Sequence, residues 1–201
     1  MPKPPSGRIR VAVLISGAGS NMAALIDASE RPDAPFEVVL ALSNKPEAGG
    51  LTIAAAKKVA TAVVDHRPFG TDRAAHEQAV QTVLNAHEVE VVALAGYMRL
   101  LTPWLVGRWE GRMLNIHPSL LPKYPGLDTH ARALAAGDAE AGCTVHLVTD
   151  GVDEGPILAR AAVPVAPDDT PASLAQRVLT AEHALYPRAL ADFCRRQMRS
   201  L

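Results

Sequence analysis

The sequence has few aromatic residues and almost no net charge. Phe, Trp and Tyr make up 4% of the 201 residues, which leaves few side chains on which single-stranded bases could stack. Lys plus Arg number 20 and Asp plus Glu number 21, so the formal net charge is −1. This balance argues against electrostatic binding of nucleic acid or of an anionic membrane as the main function.

Cysteine and long hydrophobic runs are also scarce. Cys143 and Cys194 lie far apart in the sequence, so neither a disulfide framework nor a cysteine-based zinc site is expected, and a reducing compartment fits. The apolar runs at residues 11–15 and 91–98 are far shorter than the roughly 20 residues that a membrane helix needs. We therefore expect a cytoplasmic globular protein.

The chain does contain enough apolar residues for a large core, since 48% of it is hydrophobic. Short apolar runs predict strands at residues 11–15, 38–42, 62–64, 91–95, 113–117, 143–148 and 157–165. Helices are predicted at 22–30, at 51–59, after Thr71 or Asp72, and from Thr170 onward, with Pro187 kinking or interrupting the last one. This alternation predicts an α/β fold in one domain, 1–201, with a doubly wound, mostly parallel sheet and an antiparallel edge hairpin.

A glycine-rich turn separates the first predicted strand from the first predicted helix. It consists of Gly17, Ala18, Gly19, Ser20 and Asn21. Glycines at such a point let backbone N–H groups approach an anion at the start of a helix. Met22 stands where a dinucleotide fingerprint has its third glycine, so a single phosphate group is the better ligand. The alternative is a tight turn in which Ser20 caps the helix.

Asn115 and His117 form a second candidate site, at the end of the strand at residues 113–117. Side chains two residues apart on a strand point the same way, so the pair would emerge where open α/β sheets bind ligands. An amide and an imidazole there could polarise a carbonyl group. Asp153, in the turn at 149–156, would favour the protonated form of His117 if it lay nearby. The alternatives are a hydrogen-bonded histidine and a solvated acidic turn.

Three further candidates are less specific. Glu182 falls on the apolar stripe of the C-terminal helix, where it could accept ligand hydroxyls or pair with an arginine. Residues 98–101 could line an apolar slot with Arg99 beside it, or could be ordinary core. His117, His130 and His146 match no common metal-ligand spacing, so no metal site is expected.

Together these stretches closely resemble the phosphoribosylglycinamide formyltransferases. The segments that carry the resemblance are ISGAGSN at 15–21, SNK at 43–45, LAGYMRLL at 94–101, LNIHPSLLPKYPG at 114–126, VHLVTD at 145–150 and AEHALYP at 181–187. They span residues 8–187 in the expected order, and the run at 114–126 is long and specific. Two departures are Glu154, where many relatives have glycine, and Leu179, where relatives often have a polar or basic residue near the phosphate.

The resemblance implies a Rossmann-like fold whose half 1–100 binds the phosphorylated substrate and whose half 101–201 is catalytic and helps bind the folate. It places the substrate phosphate at residues 17–21 and the ribose hydroxyls at Glu182. It assigns the binding of the co-substrate 10-formyltetrahydrofolate to Arg73, Met98, Arg99, Leu100, Leu101 and Asn115.

The implied reaction passes the formyl group to the amine of 5'-phosphoribosylglycinamide through a tetrahedral intermediate. Asn115 and protonated His117 would stabilise its oxyanion, with Asp153 assisting. Formyltetrahydrofolate deformylase, or another folate-dependent amine formyltransferase, is the alternative. A methionyl-tRNA formyltransferase would need an extra domain and a basic surface, and a non-catalytic folate- or nucleotide-binding regulator would not need these three residues. Small-molecule substrates and a monomer or homodimer are expected.

Overall fold

The computed structural model describes residues 7–199, and its strands form a single seven-stranded sheet. The strands are β1 Ile9–Ile15, β2 Phe36–Ser43, β3 Ala60–Val63, β4 Val91–Leu94, β5 Met113–His117, β6 Glu140–Leu147 and β7 Ile157–Pro164. Their order is β3-β2-β1-β4-β5-β6-β7; β1 to β5 are parallel, and β6 and β7 run antiparallel to their neighbours. The predicted α/β fold with an antiparallel edge hairpin is confirmed.

The helices differ from the predicted ones at several points. They are α1 Ser20–Ser29, α2 Gly49–Ala56, α3 Arg73–Ala86, α4 Pro103–Arg108, α5 Thr129–Ala135 and α6 Pro171–Arg199. Helix α1 begins two residues before Met22, and α4 and α5 were not predicted. Helix α6 continues through Pro187, so the predicted interruption there is wrong, and the kink given as its alternative stays a prediction. Proline removes one helical hydrogen bond, but Tyr186 and Ala189, on either side of it, are buried in the core and hold the helix in place.

Helices cover both faces of the sheet. Val11, Val13 and Ile15 on β1 pack into one core, which includes residues of α1, α2 and α6. Ala12 and Leu14 face the other core, which includes residues of α3 and α4. Strands buried on both faces are apolar without alternation, which explains the short continuous hydrophobic runs in the sequence. None of the helices within residues 7–199 has the length and apolar character of a membrane span.

The order of the strands reverses between β1 and β4. The chain moves outward from β1 to β2 and β3, then crosses to β4 on the other side of β1. Open α/β sheets bind ligands at the carboxyl ends of the strands beside such a reversal. The loops that follow β1 and β4 meet there, since the Ser16 N–H donates to the Gly96 carbonyl oxygen at 3.1 Å.

Candidate active site

Both polar side chains of β5 lie at its carboxyl end, as the sequence predicts. His117 is buried, and its two ring nitrogens contact two different groups. Nδ1 lies 3.2 Å from Asp153 Oδ2, and Nε2 lies 2.9 Å from the carbonyl oxygen of Tyr124. A carbonyl oxygen can only accept a hydrogen bond, so Nε2 carries the hydrogen that reaches Tyr124, and a hydrogen on Nδ1 would face the Asp153 carboxylate.

Asp153 lies in the loop between β6 and β7, where backbone and side-chain contacts hold it in place. Its Oδ2 accepts the N–H of Gly126 at 2.9 Å, and its Oδ1 lies 3.4 Å from Asn115 Nδ2. Partial burial acts to raise the pKa of the Asp153 carboxyl, but hydrogen bonds from His146 and Gly126 and the nearby His117 hold it below its ordinary value. The carboxylate is therefore ionised at neutral pH, next to His117 and Asn115.

His146 completes this group, and sequence reasoning considered it only as a metal ligand. Its Nε2 lies 3.2 Å from Asn115 Nδ2 and 3.5 Å from Asp153 Oδ1, while its Nδ1 lies 2.9 Å from the Leu147 carbonyl oxygen. The antiparallel register of β5 and β6 pairs residue 115 with residue 146. A predicted β5–β6 pairing in that register would have located His146. Within residues 7–199, no group of three or more His, Cys, Asp or Glu side chains is placed to hold a metal ion.

The proline-rich segment at residues 118–126 is a loop that turns back toward β5. The Lys123 N–H donates to the Leu120 carbonyl oxygen at 3.1 Å, which closes a turn. Asp138 fixes the next part of the segment: Oδ1 accepts from Lys123 Nζ and Oδ2 from the Tyr124 hydroxyl, both at 2.8 Å. These bonds hold the Tyr124 carbonyl oxygen in contact with His117.

The glycine-rich turn at residues 17–21 leads directly into α1. Gly19 is the N-cap residue with φ 75°, a left-handed conformation that favours glycine, and no side chain caps the helix. The alternative in which Ser20 is the cap is therefore wrong. A Cβ on Gly19 would lie 2.7 Å from the Cα of Gly50, so α2 packs directly against this turn. Gly50, which sequence reasoning missed, makes that close approach possible.

Glu182 reaches the end of the same turn from α6. Its Oε2 accepts from Asn21 Nδ2 at 2.6 Å, so the buried carboxylate pairs with an amide and not with an arginine. Burial raises the pKa of Glu182, against the opposing effect of the Asn21 hydrogen bond. The Oδ1 atom of Asn21 is buried with no hydrogen-bond partner among residues 7–199. An unsatisfied buried acceptor beside a carboxylate is a suitable contact for a ligand hydroxyl.

The segment after β4 exposes two of its apolar side chains. Met98 is 67% and Leu100 is 63% exposed, so they are not ordinary core, whereas Leu101 packs against the second core. Arg99 between them is half-buried. Arg73, the first residue of α3, is exposed and forms no side-chain hydrogen bond or ion pair with another described residue. No side-chain hydrogen bond or ion pair within residues 7–199 therefore connects Arg73 with the other candidate residues.

The chain is similar in sequence and in fold to known formyl transferases. The sequence model described as formyl transferase matches residues 9–190. The chain belongs to the formyl transferase family. Within that family it is 44% identical to phosphoribosylglycinamide formyltransferase of Escherichia coli (strain K12), over 92% of this chain and 87% of that protein. The crystal structure of phosphoribosylglycinamide formyltransferase from Brucella melitensis has a TM-score of 0.89 at 55% identity, covering 93% of this chain and 96% of that one. The resemblance drawn from the sequence is confirmed.

The family also includes much longer proteins. The chain is 50% identical to the trifunctional purine biosynthetic protein adenosine-3 of Drosophila melanogaster, over 92% of its own length but only 14% of that protein. The first curated relatives that the chain matches are thus several times its length, and it corresponds to one part of them.

Proposed function

We propose that the protein transfers the formyl group of 10-formyltetrahydrofolate to the amine of 5'-phosphoribosylglycinamide, a reaction of purine biosynthesis. The observation that carries the proposal is the contact of His117 with both Asp153 and the Tyr124 carbonyl oxygen, next to Asn115, at the carboxyl end of β5. Membership of the formyl transferase family supports it.

The proposed reaction needs no nucleophile from the protein. The substrate amine attacks the formyl carbon, the bond from that carbon to N10 breaks, and a proton passes from the amine to N10. Burial raises the pKa of both thiols, Cys143 and Cys194, to about 12, so neither is a ready nucleophile. Donors aimed at the developing oxyanion are the main contribution of the protein, and Asn115 and the imidazolium of His117 are the proposed donors. Asp153 stabilises the charged ring and holds a water that carries the proton.

Each substrate has a proposed set of contacts around this centre. The phosphate binds the N–H groups of the turn at residues 17–21, and the ribose hydroxyls bind Glu182 beside the unsatisfied Asn21 oxygen. The folate binds between Met98, Arg99, Leu100 and Leu101, with Arg73 and Asn115 as further contacts. The exposure of Met98 and Leu100 supports this assignment, because apolar side chains at a ligand crevice gain contacts when the ligand binds.

We further propose that the chain 1–201 acts as one domain in the cytoplasm, as a monomer or homodimer, on small molecules and not on nucleic acid. Residues 1–6 and 200–201 of that domain lie outside the described range. The net charge of −1 supports the exclusion of nucleic acid.

The test of the proposed function is a spectrophotometric assay with 10-formyltetrahydrofolate, run with and without 5'-phosphoribosylglycinamide. We expect loss of the formyl-folate signal only when the ribonucleotide is present. Loss without the ribonucleotide would identify a deformylase. A folded protein that consumes nothing under either condition would contradict the proposal and favour a binding-only role.

Helix α2 packs closely against the glycine-rich turn at residues 17–21, and this contact predicts the effect of Gly50→Ala. A Cβ on Gly50 would lie 2.5 Å from Ile15 Cδ1, 3.0 Å from the Gly19 Cα and 3.2 Å from the Gly17 carbonyl oxygen. The turn must then shift, and we expect KM for the ribonucleotide to rise about fivefold or more, since small misplacements of binding groups are costly. Steady-state kinetics with each substrate varied in turn measures it.

Gly49→Ala is the matched control, because a Cβ on Gly49 meets no atom within 4 Å. It introduces the same methyl group into the same helix, one residue away, and we expect its KM for the ribonucleotide to match that of the wild type. Equal KM values for the two variants would show that the contact of α2 with the turn does not matter for binding.

A further inference from the structure

The segment at residues 97–101 has no regular secondary structure, yet it presents Met98 and Leu100 to solvent. Loops without regular structure sample many conformations, and a ligand that binds such a loop must order it, at a cost in affinity. A loop already fixed in its bound form avoids that cost. The contacts that hold this segment therefore bear directly on how tightly it can bind a partner.

Buried polar side chains hold the segment at both ends. At its start, the Met98 N–H donates to Ser16 Oγ at 2.8 Å, and Ser16 Oγ donates to Asn44 Oδ1 at 2.5 Å. At its end, the next residue, Thr102, donates its N–H to Glu77 Oε1 at 2.7 Å and its hydroxyl to Glu77 Oε2. Ser16, Asn44 and Glu77 are all buried.

The contact between Glu77 and Thr102 is unusual in two respects. Glu77 is only 3% exposed, and its carboxylate is buried where α3 packs against α4. An unpaired charge in such a place would be costly. Thr102 is the N-cap residue of α4, but its hydroxyl makes no capping bond to that helix. Threonine at an N-cap commonly caps with its hydroxyl. Here the hydroxyl bonds Glu77, so the contact fixes the end of the segment at the expense of a helix cap.

We infer that Glu77 is a positioning residue that orders the segment at residues 97–101 for the apolar part of the formyl donor, without touching that donor. The inference rests on the proposed function, which assigns the folate to Met98 through Leu101. Glu77 therefore contributes to the affinity for the formyl donor and little to the chemical step, because Asn115, His117 and Asp153 are held by other elements.

The test is the kinetics of Glu77→Ala with each substrate varied in turn. We expect KM for 10-formyltetrahydrofolate to rise about tenfold, as for the loss of hydrogen bonds to a charged group. We expect kcat to stay within about twofold of wild type, as for a lost contribution to binding alone, and KM for the ribonucleotide not to change. Glu77→Gln should recover most of the loss, because the amide still offers an oxygen to the Thr102 N–H.

Gln81→Ala is the matched control. Gln81 lies one turn further along α3, and its Oε1 accepts from Trp109 Nε1 at 2.8 Å, at the other end of α4. This variant also removes a bond between the region of α3 and that of α4, but it leaves the segment at 97–101 untouched. We expect its KM for the formyl donor to match that of the wild type. If Gln81→Ala raises that KM as much as Glu77→Ala does, general loosening of α3 and α4 explains the effect, and the inference is wrong.

Other readouts separate the inference from a merely structural role and from the proposed function. Hydrogen exchange of the amides at 97–101 should be faster in Glu77→Ala and unchanged in Gln81→Ala. This measurement needs no substrate, so its outcome does not depend on the proposed function.

A second variant tests the same contact if Glu77→Ala is poorly folded. Thr102→Val removes only the hydroxyl contact and should raise the KM for the formyl donor by a smaller factor. A lower kcat with unchanged KM in the Glu77 or Thr102 variants would overturn the inference. If wild type consumes formyl-folate with the ribonucleotide, but Met98→Ser and Leu100→Ser leave KM for the formyl donor unchanged, the inference also fails, while the proposed function stands.

Discussion

Replacing His117 with alanine is expected to lower kcat by about 10²- to 10³-fold, the effect of removing one donor from an oxyanion site. Asp153→Asn should cause a loss of similar size, because the amide keeps the size of the side chain but removes the negative charge next to Nδ1 of His117. The ring then has no ionised partner that favours its protonated form. Turnover of formyl-folate in the presence of the ribonucleotide, measured at saturating concentrations of both, reports this loss.

The control for this pair is Asp150→Asn, in the same loop. Asp150 is exposed and has no hydrogen-bond or ion-pair partner among the described residues, so its substitution makes the same chemical change away from His117. Thermal unfolding of each variant separates lost activity from lost folded protein. Near-normal turnover in His117→Ala or Asp153→Asn would remove that residue from the catalytic group.

Wild-type turnover should show no titration of the Asp153 carboxyl across the neutral range. Since the pKa of Asp153 is held below its ordinary value of 3.8, the wild-type carboxylate stays ionised above about pH 5, where protonation of an ordinary Asp is already minor. The lowered pKa stabilises the folded protein at pH values above the pKa of Asp153 in the unfolded chain. This stabilisation is lost as the pH falls through the pKa of Asp153 in the folded protein. A fall in wild-type kcat between pH 8 and pH 5 that is absent in Asp153→Asn would therefore contradict this ionised state.

The sequence predicts most of this fold because the local signals agree with the final structure. Strand β5 has the predicted limits, 113–117, and the two-residue period of a strand is enough to place Asn115 and His117 on one side. Asp72 caps α3 as one of the two predicted candidates, accepting the Ala75 N–H at 2.9 Å. Helix α4 begins with the same threonine–proline pair as α6, so the signal that located α6 could have located α4 as well.

The parts that sequence reasoning missed depend on contacts between residues far apart in the chain. His146 joins the site only through the register of β5 and β6, 31 residues from Asn115. Glu77 and Thr102, 25 residues apart, meet because α3 packs beside the loop after β4. Gly50 matters because α2 comes within contact distance of Gly19. In each case the neighbouring sequence gives no sign that the residue matters, because its specific partner is set only by tertiary packing.

Gly155→Ala should disrupt both the stability of the protein and its activity. A Cβ on Gly155 would lie 1.7 Å from the Leu147 carbonyl oxygen and 2.8 Å from the Leu147 carbonyl carbon, distances that no side-chain rotation can relieve because both atoms belong to the backbone. The chain must move apart where the Leu147 N–H donates to the Pro156 carbonyl oxygen at 2.9 Å. Asp153 is two residues away, so we expect kcat to fall about 10²-fold, as for a misplaced catalytic group, together with a lower Tm.

Gly151→Ala is the matched control on the other side of Asp153, also two residues away. The three atoms nearest to a Cβ on Gly151 all belong to the side chain of Glu154; Oε2 at 2.3 Å can rotate clear, and Cβ at 3.2 Å requires only a small adjustment. We therefore expect Gly151→Ala to retain kcat and Tm close to the wild-type values. Assays and thermal unfolding of the two variants side by side test whether the loop position of Asp153 is set by the contact of Gly155 with β6. If both variants lose activity equally, the loop as a whole is intolerant of substitution, and the specific role assigned to Gly155 is wrong.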